Sequence, residues 1–493
     1  MNRRISFFLP AGNPEHLRLT LDEIKRSGQV GDIYLLLPGN AKVASVPTGV
    51  KTIDVPSLFS SETIRKIALH AHNEFILLYT KSLPLQMGAF ALRRLMQAAE
   101  YTNAGIVYSD YYALKKGQLI PNPVIECQEG SLRDDFNFGS LLLLETLSFI
   151  EAASRMKENY SYAGLYDLRL KISQKQTVFH LPEFLYTEVE LDIRKSGEKL
   201  FDYVNPKNRQ VQIEMEQACT AHLKDTGAWL EPRFTRIQFS ELDFETEASV
   251  IIPVKNREKT IGDAIKSVLC QNTEFDFNLI IVDNHSSDGT GKIIKSFRRK
   301  DQRIIHILPE RKDLGIGGCW NEAVFHPACG KFAIQLDSDD LYIDDSVLAR
   351  IVTEFYQQNC AMLVGSYRMV NFNLEEIPPG LIDHREWTPE NGRNNALRIN
   401  GFGAPRAYYT PVIRSIRIPN VSYGEDYAVG LNISRYYQIG RIYEPLYLCR
   451  RWEENSDASL DIQAMNAHNF YKDKIRTMEF WARQQYVQEG QEI

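Results

Sequence analysis

SVIIPV (residues 249–254), TIGDAIKSVLCQ (260–271), FNLIIVDN (277–284), GTGKIIKSFRRK (289–300) and RIIHIL (303–308) follow one another closely and lead to the acidic strand KFAIQLDSDDLY (331–342). Short β-branched runs alternating with amphipathic helical stretches predict a parallel sheet covered on both faces by helices, an α/β fold. In such sheets ligands gather at the carboxyl ends of the strands. The polar residues that follow SVIIPV, LIIVDN and AIQLDSDD are therefore expected around one crevice.

KFAIQLDSDDLY brings Asp337, Asp339 and Asp340 to the end of an apolar strand. Carboxylates crowded there repel one another and lose solvation unless a cation or hydrogen-bond donors compensate. A divalent metal ion meets that need with oxygen ligands. The structural alternative is an acidic turn that caps the next helix, which we favour for Asp340.

Outward from this stretch, 493 residues suggest two or three domains, and 44% hydrophobic with 24% charged residues describes an ordinary globular composition. A net charge of -6, with basic and acidic residues interspersed, argues against nucleic acid as a partner. The seven cysteines are scattered without a C-x-x-C pair, which favours a reducing compartment. MNRRISFFLPAGNPEH lacks a signal-peptide core, and no run approaches the roughly 20 apolar residues of a membrane span. A cytoplasmic protein is expected, and peripheral contact with a membrane-borne acceptor is compatible with that. Phe470, Ile475, Met478, Phe480 and Trp481 in the helix-like segment from Ile462 to Gln485 suggest packing on a domain.

The N-terminal third repeats the plan. SFFLPAGN (6–13) lies over SVIIPVKN (249–256), DIYLLLPGN (32–40) over FNLIIVDNHS, and EFILLYTKSLP (74–84) over KFAIQLDSDDLY. YAGLYDLRLKIS, ending at Ser173, matches YGEDYAVGLNIS, ending at Ser434, and Glu183 matches Glu444 at the same offset of 261. The copies differ in their chemistry: Asp283 faces Leu37, Asp337 faces Thr80, Asp339 faces Ser82, Glu425 and Asp426 face Gly164 and Leu165, and Arg451 faces Glu190. The expected organisation is a degenerate, non-catalytic domain (1–190), a helical connector (191–247) entered at Pro206, a catalytic domain (248–455) and a helical tail (456–493).

The second half, from Ala248 to about Glu454, resembles the family 2 glycosyltransferases. The resemblance rests on ordered motifs: VIIPVKNR (250–257), IIVDNHSSDGT (280–290), DLGIGGCWNEA (313–323), LDSDD (336–340), GEDYAV (424–429) and LCRRW (448–452). It implies a GT-A fold, here two GT-A-like α/β/α domains with the first degenerate. It also implies a nucleotide-diphosphate sugar as donor, and Mg2+ or Mn2+ with Asp339 as direct ligand and Asp337 close to both the ribose and the metal. Pro253, Asn256 and Arg257 are expected at the nucleoside, and Asp283 on the base ring, where uracil offers an N–H. An Asx-turn is the alternative for Asp283. Asn321 stands at a position where the family commonly has Asn, and Arg451 and Trp452 would line the diphosphate and acceptor side.

By the same resemblance Asp426 is the expected general base and Glu425 supports the acceptor, so that one in-line displacement inverts the anomeric centre. Leu448 stands where processive synthases of this kind carry Gln, which argues against processive synthesis. His384, Trp387 and Arg406 lie in an irregular stretch (378–409) suited to acceptor contact, or simply to packing around Trp387. The expected function is a metal-dependent, inverting transfer of a sugar, from a UDP-sugar most naturally, to a hydroxyl of a glycan or glycolipid. The alternatives are a sugar nucleotidyltransferase, whose glycine-rich loop VIIPVKNREK lacks, and a non-catalytic nucleotide-sugar-binding scaffold. Nothing in the sequence reports the oligomeric state.

Overall fold

The computed structural model describes residues 4–39, 41, 46–189, 208–240, 244–452 and 460–490. The chain forms two compact units, one of Met1–Gly197, Arg209–Gly227 and Asp461–Thr477, the other of Glu198–Asn208, Ala228–Leu460 and Met478–Ile493. Glu190 and the start of the expected connector, residues 191–207 with Pro206, lie outside the described residues.

The first unit carries strands β1 (Ile5–Pro10), β2 (Val30–Pro38), β3 (Lys51–Val55), β4 (Phe75–Tyr79), β5 (Leu85–Met87), β6 (Ala104–Lys115), β7 (Gln118–Asn122), β8 (Leu141–Glu145) and β9 (Thr177–Val189). Their order is β3-β2-β1-β4-β8-β6-β9-β5, with β7 paired to β6. The second unit carries β10 (Ala248–Val254), β11 (Phe277–Asp283), β12 (Ile304–Ile307), β13 (Phe332–Gln335), β14 (Leu341–Tyr342), β15 (Met362–Val370), β16 (Glu376–Ile382), β17 (Arg406–Tyr409) and β18 (Ile439–Arg450). Their order is β12-β11-β10-β13-β17-β15-β18-β14, with β16 paired to β15, so each strand has a counterpart at the same place in the other sheet. The register agrees as well. Ile5 pairs with Val30 and Phe75, as Ala248 pairs with Phe277 and Phe332.

Local sequence accounts for the elements. All seven residues of β11 are buried, as expected for a strand covered on both faces. The helix Ile261–Leu269 turns Ile261, Ala264, Ile265 and Val268 inward at three- and four-residue spacing. The wholly parallel sheet read from the sequence is corrected in one respect. β12, β11, β10 and β13 run parallel, but β17 enters antiparallel beside β13. That insertion sets Arg406 next to the acidic strand end.

In the first unit the helix Arg209–Asp225 buries Ala218, Cys219 and Leu223, and Glu214 Oε2 accepts the Tyr162 N–H at 2.7 Å. In the helix Ile462–Gln488 Phe480 is buried, as the sequence suggested, and buried charges add to the packing. Asp473, fully buried, meets Arg476 at 2.8 Å and accepts from Ser131 Oγ at 3.0 Å, whereas Met478 and Trp481 are exposed.

Candidate active site

In the second unit a cavity of about 480 Å3 opens at the carboxyl ends of β10 and β13. Its walls include Pro253 near the end of β10 and Arg257 after it, Asp337 and Asp339 after β13, Arg406 at the start of β17, Glu425 and Asp426 at the start of the helix Glu425–Tyr436, and Arg451 after β18. Eight residues singled out in the sequence thus meet around one space, although they span nearly two hundred positions of chain.

Asp337 is tied down from two sides. Gln335 Nε2 donates to Asp337 Oδ1 at 2.9 Å, and the Asp337 N–H donates to the Tyr447 hydroxyl at 3.0 Å. Burial pushes the Asp337 carboxyl above the usual range and the nearby Asp339 charge adds to this, while Arg406 and Gln335 oppose it. Burial, with the charges of Asp339 and Asp337, raises Asp340 further. Asp340 is not the helix cap expected from sequence. Its Oδ1 accepts the Arg450 N–H at 2.7 Å and so fastens β18, while Asp344 Oδ1 accepts the Ser346 N–H ahead of the next helix. Asp339 accepts from Trp452 Nε1 at 3.2 Å and lies 3.8 Å from Arg257 Nε, with the Arg257 guanidinium 5.9 Å from the Trp452 ring centre.

Across the cavity Arg406 pairs with Asp426 Oδ2 at 2.7 Å and donates to Gly403 O at 3.0 Å. Burial works against the Arg406 charge, but Asp426, Tyr408, Asp337 and Glu425 outweigh it and raise its pKa. Burial and the Asp426 charge push the Glu425 carboxyl up to about 8. Its Oε2 is buried without a hydrogen-bond partner among the described residues. Gly424, at φ +83°, starts the helix in a conformation that favours glycine, and the acids in its first turn suit the helix dipole.

The remaining predicted residues lie elsewhere. Asp283 is absent from the cavity wall. Its Oδ1 accepts the Ser286 N–H at 2.9 Å, an Asx-type turn, and its Oδ2 lies 3.5 Å from His306 Nε2. These hydrogen bonds outweigh burial and hold its pKa below the ordinary value. Asn284 takes the place on the wall. Asn256 braces a loop, accepting the Ser287 N–H at 2.8 Å. Asn321 clamps Ile418, donating to its carbonyl at 2.7 Å and accepting its N–H at 3.1 Å. Trp452 reaches the site through Asp339 rather than lining it. His384 is buried against Glu386, and Trp387 packs against Phe402 and the Arg441 guanidinium, so of these three expected residues Arg406 alone lines the cavity.

Sequence reading missed Gln335 and Tyr408, which also line the cavity. Gln335 joins the two sides, because its Oε1 accepts the Arg406 N–H at 3.0 Å. A signal was available: residues two apart on a strand share a face, which sets Gln335 with Asp337.

Among the described residues no group of three or more His, Cys, Asp or Glu side chains is arranged to hold a metal ion. Asp337 and Asp339 offer a two-carboxylate platform, which suits a divalent ion whose other ligands are water and phosphate oxygens. Crowded carboxyls raised by burial and by one another are chemically consistent with such an ion.

Residues 249–410 match the family described as Glycosyl transferase family 2. This segment is a family 2 glycosyltransferase domain. Among curated relatives, the Escherichia coli UDP-Glc:alpha-D-GlcNAc-diphosphoundecaprenol beta-1,3-glucosyltransferase WfgD is 34% identical over 125 residues, covering 25% of this chain and 47% of its own length. The Campylobacter jejuni GalNAc(5)-diNAcBac-PP-undecaprenol beta-1,3-glucosyltransferase is 37% identical over 93 residues, covering 19% of this chain and 29% of its own length. The chain thus spans less than half the length of either of these relatives. A solved structure of S. aureus TarS 1–349 in complex with UDP-GlcNAc aligns with 23% identity and a TM-score of 0.37, covering 48% of this chain and 72% of that one. No described helix of the chain is long and apolar enough to cross a membrane.

Proposed function

We propose that the second unit transfers a sugar from a nucleotide-diphosphate donor, a UDP-sugar, to a hydroxyl of a lipid-diphosphate-linked glycan, with inversion, at the cytoplasmic side of a membrane. The observation that supports this reading is the meeting of Asp337, Asp339, Arg406 and Asp426 around one cavity within a family 2 glycosyltransferase domain. Both curated relatives described above are named for substrates linked to undecaprenol through a diphosphate.

Asp339 and Asp337 would hold Mg2+ or Mn2+. Such an ion neutralises charge that builds on the departing diphosphate. Pro253, Asn284, Arg257 and Arg451 line the cavity and would border the donor, with Arg257 and Arg451 adding positive charge. An acceptor hydroxyl is a weak nucleophile and needs a base. Glu425 keeps its proton up to about pH 8 and is buried, so at neutral pH the role falls to Asp426, which faces the cavity in its pair with Arg406. The acceptor hydroxyl must draw Asp426 away from that pair. The freed guanidinium is then placed to meet an anionic acceptor group.

Donor hydrolysis and transfer, measured over a panel of nucleotide sugars with Mg2+, Mn2+ or chelator, test the reading. The expected result is UDP-sugar turnover that stops with chelator. Donor binding without turnover on any acceptor would instead support the nucleotide-sugar-binding scaffold.

A further inference from the structure

The first unit contains a cavity of about 410 Å3, and strand register places it where the second unit has its active crevice. Phe75 pairs with Ile5 and Glu145, just as Phe332 pairs with Ala248 and Tyr409. Counting along these ladders, Thr80 takes the place of Asp337, Leu142 that of Arg406 and Leu144 that of Tyr408. The offset of 261 sets Leu165 and Leu168 against Asp426 and Val429. All five residues of each set line their own cavity. The hollow is retained while the two acids and the arginine at these positions are replaced by threonine and leucine.

Phe136, Phe138 and Tyr166 complete an aromatic and aliphatic wall. The cationic side chain there, Arg169, is committed to the protein. It donates to Ser131 O at 2.9 Å and Arg133 O at 3.2 Å, and its guanidinium lies over the Tyr166 and Phe138 rings at 4.8 and 5.2 Å. Asp134 on the wall adds negative charge, which disfavours a diphosphate. A cavity of this size with largely apolar walls has the shape and chemistry of a ligand site, and those walls favour hydrocarbon over nucleotide or sugar.

We propose that this cavity binds a stretch of polyisoprenoid chain. The inference rests on the acceptor reading above: a glycan linked through a diphosphate to a polyprenol brings a branched apolar chain to the protein. Branched leucine and flat aromatic walls complement such a chain, and the sequestered hydrocarbon removes apolar surface from water.

Isothermal titration of the full chain with farnesol, a neutral isoprenoid alcohol, tests the proposal, with dodecanol and UDP in parallel. Leu165 and Met215 reach the cavity from different helices and are half-buried, so Leu165→Trp and Met215→Trp fill it from two sides. Wild type should bind one farnesol per chain. Each variant should lose at least tenfold in affinity, with a ligand-free melting temperature like that of wild type. Absence of farnesol binding, undiminished affinity in both well-folded variants, or displacement of farnesol by UDP would overturn the site. Equal binding of dodecanol would overturn the isoprenoid assignment in favour of a straight acyl chain. Sugar transfer, assayed on the same samples with lipid-linked and lipid-free acceptors, reads the second unit separately. Farnesol binding with no transfer to any lipid-linked acceptor would fault the acceptor reading and leave the cavity assignment standing.

Discussion

Gly164 in the first unit and Glu425 in the second begin equivalent helices, and what surrounds them shows how one backbone plan carries two chemistries. A Cβ at Gly164 would fall 2.4 Å from the backbone of Ser60 and Ser61. The neighbouring helix Ser61–His70 therefore occupies the room that the second unit gives to an acid. Glu425 is accommodated at an electrostatic cost, visible in its raised carboxyl and in the unpartnered Oε2. The same contrast recurs where Thr80 stands for Asp337 and Leu165 for Asp426. A buried carboxylate is costly unless it is matched. The second unit retains five acids around its cavity, Asp337, Asp339, Asp340, Glu425 and Asp426, as expected where their charge is used.

The largest effect should come from Asp339→Asn. If Asp339 carries the ion, this change should lower transfer by about a thousandfold or more, with little change in thermal stability. Turnover within tenfold of wild type, measured at saturating donor, would remove the chemical distinction between the units. Asp426→Asn should come next, lowering kcat by about 10²–10⁴-fold while donor affinity by calorimetry stays near wild type. A matching loss of donor affinity would instead make Asp426 part of donor binding.

A smaller effect concerns stability and pH. The Glu425 carboxyl is raised from an ordinary 4.5 to about 8 in the folded chain. Between those values the native state holds a proton that the unfolded chain has released. Its contribution to stability is full below the lower value and is lost as pH rises through the upper one. Glu425→Gln cannot ionise and should flatten this dependence, gaining on the order of 4 kcal/mol near pH 9 relative to pH 5 when compared with wild type. Urea unfolding at the two pH values reads it directly, and parallel curves for the two proteins would show that Glu425 does not titrate in this window.

What the sequence disclosed, and what it hid, follows from the same physics. Strand and helix periodicity, and the offset of 261, locate backbone, so the matched strand orders and the meeting of Asp337, Asp339 and Asp426 were legible. Side-chain direction was not. Asp283 turns back to Ser286 and His306, Asn321 closes on Ile418, and Trp387 goes inward onto Phe402. Each has a polar or aromatic group that a ligand or the protein itself can satisfy equally well, and only tertiary packing decides between them. Gln335 shows the converse, a residue without a motif whose two amide ends join Asp337 to Arg406. The buried Asp473–Arg476 pair was hidden for a related reason, since charged residues on a helix normally mark its solvent face.

The smallest expected effect sharpens the comparison most, because it concerns the position aligned with the one expected to matter most. Ser82 aligns with Asp339, but it is exposed, and its neighbour Lys81 makes an ion pair with Glu188 instead of joining an acidic cluster. Ser82→Ala should change stability by no more than about 0.5 kcal/mol and leave kcat within about twofold, because no carboxylate is lost and no buried partner is stranded. A tenfold fall in kcat with an unchanged melting temperature would mean that the first unit takes part in the chemical step. The division between an apolar unit and a charged one would then describe two cooperating parts of one site.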